Sequence, residues 1–200
     1  MSYKQAGRTR AFDEATVLTG AMEAFRRHGY GGVSVRDLEV ATGISSGSIY
    51  NAYADKHGLF DAAFRHYHRT VLVGRLDTHA PPEAGLSGLR DAFTTLLDEP
   101  GGGSFGCLIT NSAVELADRP GPAGLVQQSL AVLRDVFTQR LQAAHEQGLL
   151  PTSVDPATAA LHLLALYQGL LVLIRSGYDR TSLHDLITAH FDVLEGPHVP

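Results

Sequence analysis

Apolar residues recur at intervals of three and four along most of this chain of 200 residues, which is the spacing of amphipathic α-helices. The first such stripe contains Leu18, Met22 and Phe25, and it ends at Gly29. Later stripes are separated in the same way by glycine or proline, and no segment has the convincing alternation of a β-strand. Since 44% of the residues are hydrophobic, the chain can bury a sizeable core. The sequence therefore predicts an all-α protein of about nine helices.

A glycine turn followed by a short polar helix is the most informative segment near the N-terminus. Gly43 suits the bend between two helices packed near right angles. After it, Ile44 and Ile49 can anchor one face, whereas the other face carries short polar side chains and a glycine. Such a helix can approach base edges in the major groove of DNA, which is about 12 Å wide. A polar surface helix after an ordinary helical corner is the alternative.

The flanking residues predict a compact head joined to a long helix. Asp55 can cap the helix after the polar segment, and Lys56 then lies where free N–H groups can share a phosphate with its ammonium. Residues 1–10 have three basic and no acidic residues, which suits either an arm on DNA or an untethered tail. We expect an arm and helix-turn-helix head at 1–54, a connecting helix at 55–78 and a helical body at 79–200.

Charge is distributed unevenly, although the net charge of −5 taken alone argues against a nucleic-acid binder. The first 78 residues hold ten Lys and Arg against eight Asp and Glu, whereas residues 79–200 hold six against thirteen. The basic excess therefore lies with the polar helix, as expected for a DNA-binding head on a body that DNA repels.

Several other classes of protein are disfavoured. The single cysteine, Cys107, excludes an intrachain disulfide and favours a reducing cytoplasm. The longest apolar run, residues 163–174, is interrupted at Gln168 and Gly169 and is shorter than the roughly 20 residues of a membrane span, so we expect a soluble protein. No metal-spaced cluster, nucleophile motif or phosphate loop supports a helical enzyme, and no cofactor or metal is expected.

The segment around the polar helix resembles the signature of the tetracycline-repressor (TetR) family of one-component transcription regulators, over about residues 12–68. Glu39 and Ala52 depart from the family pattern, which usually has a small residue at the first position and a larger polar residue at the second. The residues that carry the resemblance are Arg36-Asp37-Leu38, the run from Thr42 to Tyr53, Asp55-Lys56 and Leu59-Phe60.

The resemblance implies which residues contact DNA. Tyr50 and Lys56 would bind phosphates, and the polar face of the short helix would meet bases. Arg36 could give guanine a bidentate contact or form only a surface salt bridge, and Tyr53 could instead pack against the first helix. The candidate DNA-binding residues are Ser34, Arg36, Ser45, Ser46, Gly47, Ser48, Tyr50, Asn51, Tyr53 and Lys56.

The body is expected to hold a small-molecule effector. Cys107, Asn111 and Val114 fall at i, i+4 and i+7 of a predicted helix and share a face. Cys107 follows a glycine at the start of that helix, where it could sense oxidants or electrophiles or could simply be buried. Asn111 could instead cap a helix, and His162 could be a satisfied buried histidine. The candidate pocket residues are Phe105, Cys107, Asn111, Val114, Phe137, His162, Leu166 and Tyr167.

The last two predicted helices are candidates for a dimer interface. Residues 163–174 are apolar nearly all round, so their helix needs burial on more than one side. In the TetR family the last two helices of each protomer form a four-helix bundle across a two-fold axis. The candidate interface residues are Leu170, Leu171, Ile174, Leu183, Ile187 and Phe191.

Together these features suggest a small-molecule-responsive regulator, most often a repressor in that family. It would bind a palindromic operator as a homodimer, with recognition helices about 34–36 Å apart in successive major grooves. An effector bound in the body would favour the arrangement that fits DNA poorly. A DNA-binding factor without an effector is the alternative.

Overall fold

The structure, a computed structural model, describes residues 13–98, 105–116 and 120–196, without the side chains of residues 120–122. The predicted basic arm at 1–10 lies outside the described residues, as do residues 101–104 of the glycine-rich connection. The described residues form helices and no strand, which confirms the predicted all-α class. The helices are α1 Glu14–Gly32, α2 Val35–Thr42, α3 Ser46–Tyr53, α4 Lys56–Tyr67, α5 Gly74–His79, α6 Gly85–Thr94, α7 Leu108–Glu115, α8 Pro120–Glu146, α9 Pro156–Arg175 and α10 Arg180–Glu195.

The chain divides into two compact units, Met1–His66 and Tyr67–Pro200. The division falls within the connecting helix that the sequence predicts, so the proposed three-part boundaries at 54 and 78 stay a prediction.

The first unit is held together by aromatic rings from α1 and α4. The rings of Phe25 and Phe60 meet edge to face with centroids 5.1 Å apart, and Phe60 also contacts Phe64. All three side chains are buried. Gly29 has a φ of 75°, so the helical conformation of α1 is broken there, as its position after the apolar stripe predicts.

The connecting helix contains a stretch that its apolar periodicity does not reveal. Between α4 and α5, residues His68–Val73 form a π-helix, and the flanking residues Tyr67 and Gly74 keep right-handed helical angles. The Nδ1 atom of His68 lies 2.8 Å from the hydroxyl of Ser129 on α8. A π-helical turn of this kind inside a helix is often found at functional positions.

The second unit buries a cluster of four aromatic rings. Phe93 of α6 lies 5.6 Å from Phe137 of α8, 5.3 Å from Tyr167 of α9 and 5.4 Å from Phe191 of α10, measured between ring centroids. These contacts bring four helices to one core, and burial raises the pKa of the Tyr167 phenol well above its ordinary value.

Helix α9 is, by length and composition alone, long and apolar enough to cross a membrane. The apolar run at residues 163–174 was expected to be too short for a membrane span. The helix is longer than that run, because it extends seven residues further toward the N-terminus and one further toward the C-terminus. The core helices of soluble proteins share these properties, and α9 packs against α8 and buries Leu163, Tyr167 and Leu170.

Candidate nucleic-acid interface

Helices α2 and α3 are joined by the tight turn that the sequence predicts. Gly43 has φ 70° and ψ 11°, a left-handed conformation that glycine adopts without strain, and its N–H donates to the carbonyl of Glu39. The hydroxyl of Thr42 donates to the carbonyl of Leu38 at 2.6 Å. Leu38 of α2 and Ile49 of α3 are fully buried, so both helices are anchored in the core.

The opposite face of α3 is open to solvent. Ser45, Gly47, Tyr50 and Asn51 are exposed, and Ser46 and Ser48 are partly exposed. The Ser45 hydroxyl accepts a hydrogen bond from the backbone N–H of Ser48 at 3.3 Å, so it also caps the helix. Six of the predicted DNA-binding residues therefore lie together on or beside one polar helix surface.

Tyr53 is placed differently from its predicted role. Its side chain is 9% exposed and belongs to the core of the first unit, so its ring is not on the polar surface of α3. The physical reason is its helical position, because Ile49 and Tyr53 are four residues apart and therefore share the buried face. The structure thus favours the packing alternative for this residue.

Ser34 and Arg36 lie at the start of α2. Ser34 and Asp37 form a capping box, in which the Ser34 N–H donates to the Asp37 carboxylate at 2.8 Å and the Asp37 N–H donates to the Ser34 hydroxyl at 3.2 Å. The Ser34 hydroxyl and its N–H hold the pKa of Asp37 below its usual range. Arg36 lies between the two residues of the capping box and is exposed.

Lys56 lies in the first turn of α4, as predicted, and an aromatic ring fixes it there. Its ammonium is 4.5 Å from the centroid of the Tyr30 ring, within cation–π distance. The Tyr30 ring in turn contacts Phe25, His57 and Phe60. Tyr30 was not among the predicted site residues, because it follows the break at Gly29 and belongs to no helical stripe.

Glu39 is a second residue that the sequence did not place in the site. Its Oε1 atom accepts a hydrogen bond from the backbone N–H of Ser46, the first residue of α3, at 2.5 Å. The sequence did give one signal for this role, because Glu39 stands where the resembled family usually has a small residue.

The predicted effector residues divide between core and surface. Phe137 and Tyr167 are buried in the aromatic cluster, whereas Val114 is 82% exposed and does not line the interior with Cys107. Cys107 precedes α7 with extended backbone angles, which explains why the predicted i, i+7 relation to Val114 does not bring the two side chains to one pocket. Leu166 is partly exposed on α9.

Phe105 and Asn111 form a connection between α7 and α9. The Phe105 carbonyl accepts from the Asn111 side-chain amide at 3.2 Å and from the Arg175 guanidinium at 3.1 Å. Cys107, two residues after Phe105, is buried with 6% exposure. Its environment fits the structural alternative better than that of an accessible thiol.

His162 is exposed and borders an open groove of about 360 Å³ between α9 and α10. His190 lies across the same groove, and burial, followed by the nearby charge of His162, lowers the pKa of His190. The described residues contain no group of three or more His, Cys, Asp or Glu that could hold a metal ion.

The predicted dimer residues are buried within one protomer. None of Leu170, Ile174, Leu183, Ile187 and Phe191 is more than 6% exposed, and Leu171 is 9% exposed. They face the protomer's own core because the predicted stripe selected the most apolar face of each helix. The exposed large apolar residues of α9 and α10 are Leu161, Val172, Leu186 and Val193.

Two family models match the chain, one on each side of residue 66. A model described as bacterial regulatory proteins, tetR family, matches residues 17–63. A model described as tetracyclin repressor-like, C-terminal domain, matches residues 83–190. The first match includes α3, and the second includes three of the four rings of the aromatic core, Phe93, Phe137 and Tyr167.

Two curated bacterial proteins are similar over most of their length. The uncharacterized HTH-type transcriptional regulator YezE of Bacillus subtilis is 29% identical over 194 residues, which are 94% of this chain and 100% of that protein. The HTH-type transcriptional repressor ComR of Escherichia coli is 28% identical over 182 residues, which are 87% of this chain and 85% of that protein.

Solved structures share the fold across nearly the whole chain. A cysteine mutant of the TetR family regulator CifR, complexed with 26-bp double-strand operator DNA, has a TM-score of 0.81 at 23% identity, over 94% of this chain and 100% of that one. A TetR regulator from Chloroflexus aurantiacus has a TM-score of 0.77 at 25% identity, over 89% and 92%.

Proposed function

This chain belongs to the TetR family of transcriptional regulators, and from that membership we propose that it is a one-component, small-molecule-responsive repressor. It binds a palindromic operator as a homodimer and leaves the operator when an effector binds its C-terminal body. The observation that carries the proposal is the polar, solvent-exposed face of α3 on a helix anchored by buried Ile49.

The chain is a DNA-binding regulator and not an enzyme, since its family consists of transcriptional regulators. This confirms the predicted class and removes the helical enzyme as an alternative. We expect the protein to act in the cytoplasm, where its DNA is.

The proposed DNA-binding surface comprises the exposed residues of α3 and two flanking positions. Short polar side chains of α3 face the base edges, and Tyr50 and Lys56 bind phosphates on either side. Arg36 reaches a guanine with its bidentate guanidinium. Relative to the predicted set, Tyr53 is left out because it is buried, and Ser34 is left out because its hydroxyl and N–H form the capping box of α2.

We assign the dimer interface to the outer faces of α9 and α10. Leu161 and Val172 are 57% and 53% exposed and lie three turns apart on α9, with exposed Ala165 and Gly169 between them. On α10, Leu186 and Val193 are seven residues apart and 43% and 81% exposed. Uncharged apolar stripes on adjacent helices suit a self-complementary two-fold interface.

The effector is proposed to act on the second unit by rearranging its aromatic core. Phe137 and Tyr167 pack against each other at 5.9 Å between centroids, so a ligand that enters there must separate them. The groove beside His162 and His190 is a second candidate binding position for the effector. A collapsed core that no metabolite opens would favour the factor without an effector.

Selection of DNA from a random pool by the purified protein tests the operator directly. The enriched sequences are expected to contain two inverted half-sites. A metabolite screen for release of the protein from the selected site then tests the effector. If no sequence is enriched, the proposed operator is refuted. If the protein stays bound to DNA in the presence of every class of metabolite, the DNA-binding factor without an effector is favoured.

A further inference from the structure

Glu39 connects α2 to the beginning of α3. Its Oε1 atom accepts from the Ser46 backbone N–H at 2.5 Å. The backbone N–H of Ser46, followed by the Ser46 hydroxyl, holds the pKa of Glu39 below its usual range, so the side chain is a carboxylate at neutral pH. The contact therefore places a full negative charge at the N-terminus of the recognition helix.

A helix N-terminus ordinarily attracts anions, because its first N–H groups lack partners within the helix and the helix dipole is positive there. A DNA phosphate is such an anion, and a phosphate contact carries no sequence information. Here the protein's own carboxylate uses the Ser46 N–H, and the Ser45 hydroxyl uses that of Ser48. A phosphate approaching this turn would meet the charge of Glu39.

We propose that Glu39 is a specificity-determining positioning residue, which fixes the N-terminus of α3 relative to α2 and excludes a backbone phosphate from it. The proposal rests on the proposed DNA-binding role of α3. With that phosphate contact excluded, a larger share of the affinity must come from base edges.

Other contacts already hold the turn, which separates this role from a purely structural one. Thr42 bonds the Leu38 carbonyl, Gly43 closes α2, and Leu38 and Ile49 anchor the two helices in the core. The Glu39 carboxylate thus adds a contact that reaches directly from α2 to the first residue of α3. Arg36, whose charge also lowers the pKa of Glu39, lies one turn earlier on α2.

Two variants separate the charge of Glu39 from its hydrogen bond. We define discrimination as the ratio of the affinity for the operator to the affinity for non-operator DNA. Glu39→Ala removes both the charge and the hydrogen bond, so binding to non-operator DNA should tighten about fivefold while discrimination falls about tenfold. Glu39→Gln keeps an acceptor for Ser46 without the charge. It should tighten operator and non-operator binding alike, so its discrimination stays within about twofold of wild type.

The matched control is Glu23→Gln, which removes an acidic charge from α1, where Glu23 pairs with Arg26. It should leave discrimination unchanged. Wild-type discrimination in Glu39→Ala would overturn the proposal, and so would an equal loss in both Glu39 variants. Thermal melts of each variant establish that the head is folded.

A measurement without DNA keeps this inference separate from the operator proposal. In the wild-type protein, the Ser46 amide resonance should titrate in one step below the ordinary glutamate pKa of about 4.3, and Glu39→Gln should abolish that step. A Ser46 amide that is insensitive to pH would refute the contact even if an operator is found. A failed operator selection with a titrating amide would instead refute only the DNA-binding role.

Discussion

Two cationic residues at the head have different expected roles in DNA binding. Lys56 is held over the Tyr30 ring at the start of α4, so it can bind a phosphate without reading sequence. Arg36 is exposed at the start of α2 and can read a guanine. Phosphate contacts govern overall affinity and its salt dependence, whereas base contacts govern preference at one position.

Lys56→Ala should therefore weaken binding to all DNA and reduce the salt slope of the affinity by about one. Arg36→Ala should relax preference at one position in each half-site, a change worth about 1–3 kcal/mol. Fluorescence anisotropy over a salt series and a set of single-base operator variants measures both effects. The control is Arg65→Ala, an exposed cation in the last turn of α4. Identical behaviour of Lys56→Ala and Arg36→Ala would contradict these roles.

His68 makes the stability of the second unit sensitive to acid. Burial, followed by the charge of Arg69, lowers its pKa, so the folded protein keeps His68 neutral where the unfolded chain binds a proton. Stability is then complete above the unfolded value of about 6.5 and is lost as pH falls below it. His190 has the same sign.

The melting temperature should fall when pH is lowered from about 7.5 to about 5.5, and His68→Gln should make that fall smaller. His184→Gln, at an exposed histidine beside Asp185, is the control and should leave the pH dependence intact. If His68→Gln shows the full wild-type decrease, the half-buried neutral His68 is not its source.

At the scale of secondary-structure elements, α1 and α2 approach each other closely at Gly20. A methyl group added to Gly20 would collide with the backbone carbonyl oxygen of Ala41, and backbone cannot move aside as a side chain can. Gly20→Ala must therefore separate the two helices.

We expect Gly20→Ala to lower the free energy of unfolding by about 1–3 kcal/mol and to weaken operator binding. Gly124→Ala is the matched control, because nothing lies within 4 Å of the added methyl on α8 and alanine favours the helix by about 0.5–1 kcal/mol. Denaturant unfolding of both variants measures the contrast. A Gly20→Ala protein as stable as wild type would mean that α1 and α2 are not so closely packed.

The helices themselves were predictable because their buried apolar residues recur with the period of an α-helix. Stripes such as Leu18, Met22 and Phe25 specify a helix and its buried face, and Asp155 followed by proline specifies the start of α9. The π-helical turn at His68–Val73 was not predictable, because it leaves the apolar pattern almost unchanged. The resemblance supplied candidate DNA contacts, but only packing could show that Tyr53 points inward.

The dimer surface of the body was less predictable, because an apolar pattern does not show whether a helix face packs inside its own protomer or against a partner. The most apolar faces of α9 and α10 were assigned to a partner, yet a protomer must bury such faces in its own core first.

Glu39 and Tyr30 act through contacts that cross from one helix to another, and no local pattern records such contacts.

At the scale of the whole molecule, the proposed dimer depends on the outer faces of α9 and α10. Val172→Glu places a charge within that surface, which should convert the dimer to monomers at micromolar concentration and weaken operator binding. Leu149→Glu, at a 52% exposed residue in the turn after α8, is the control. Light scattering distinguishes the two, and a dimeric Val172→Glu protein would move the interface elsewhere.

We propose that two copies of α3 enter successive major grooves of one operator. A hydroxyl-radical footprint on the selected operator tests this most directly. We expect two protected blocks related by a two-fold axis, with centres about 10 base pairs apart or a multiple of that spacing. A single asymmetric block, unchanged when the polar residues of α3 are replaced by alanine, would contradict it.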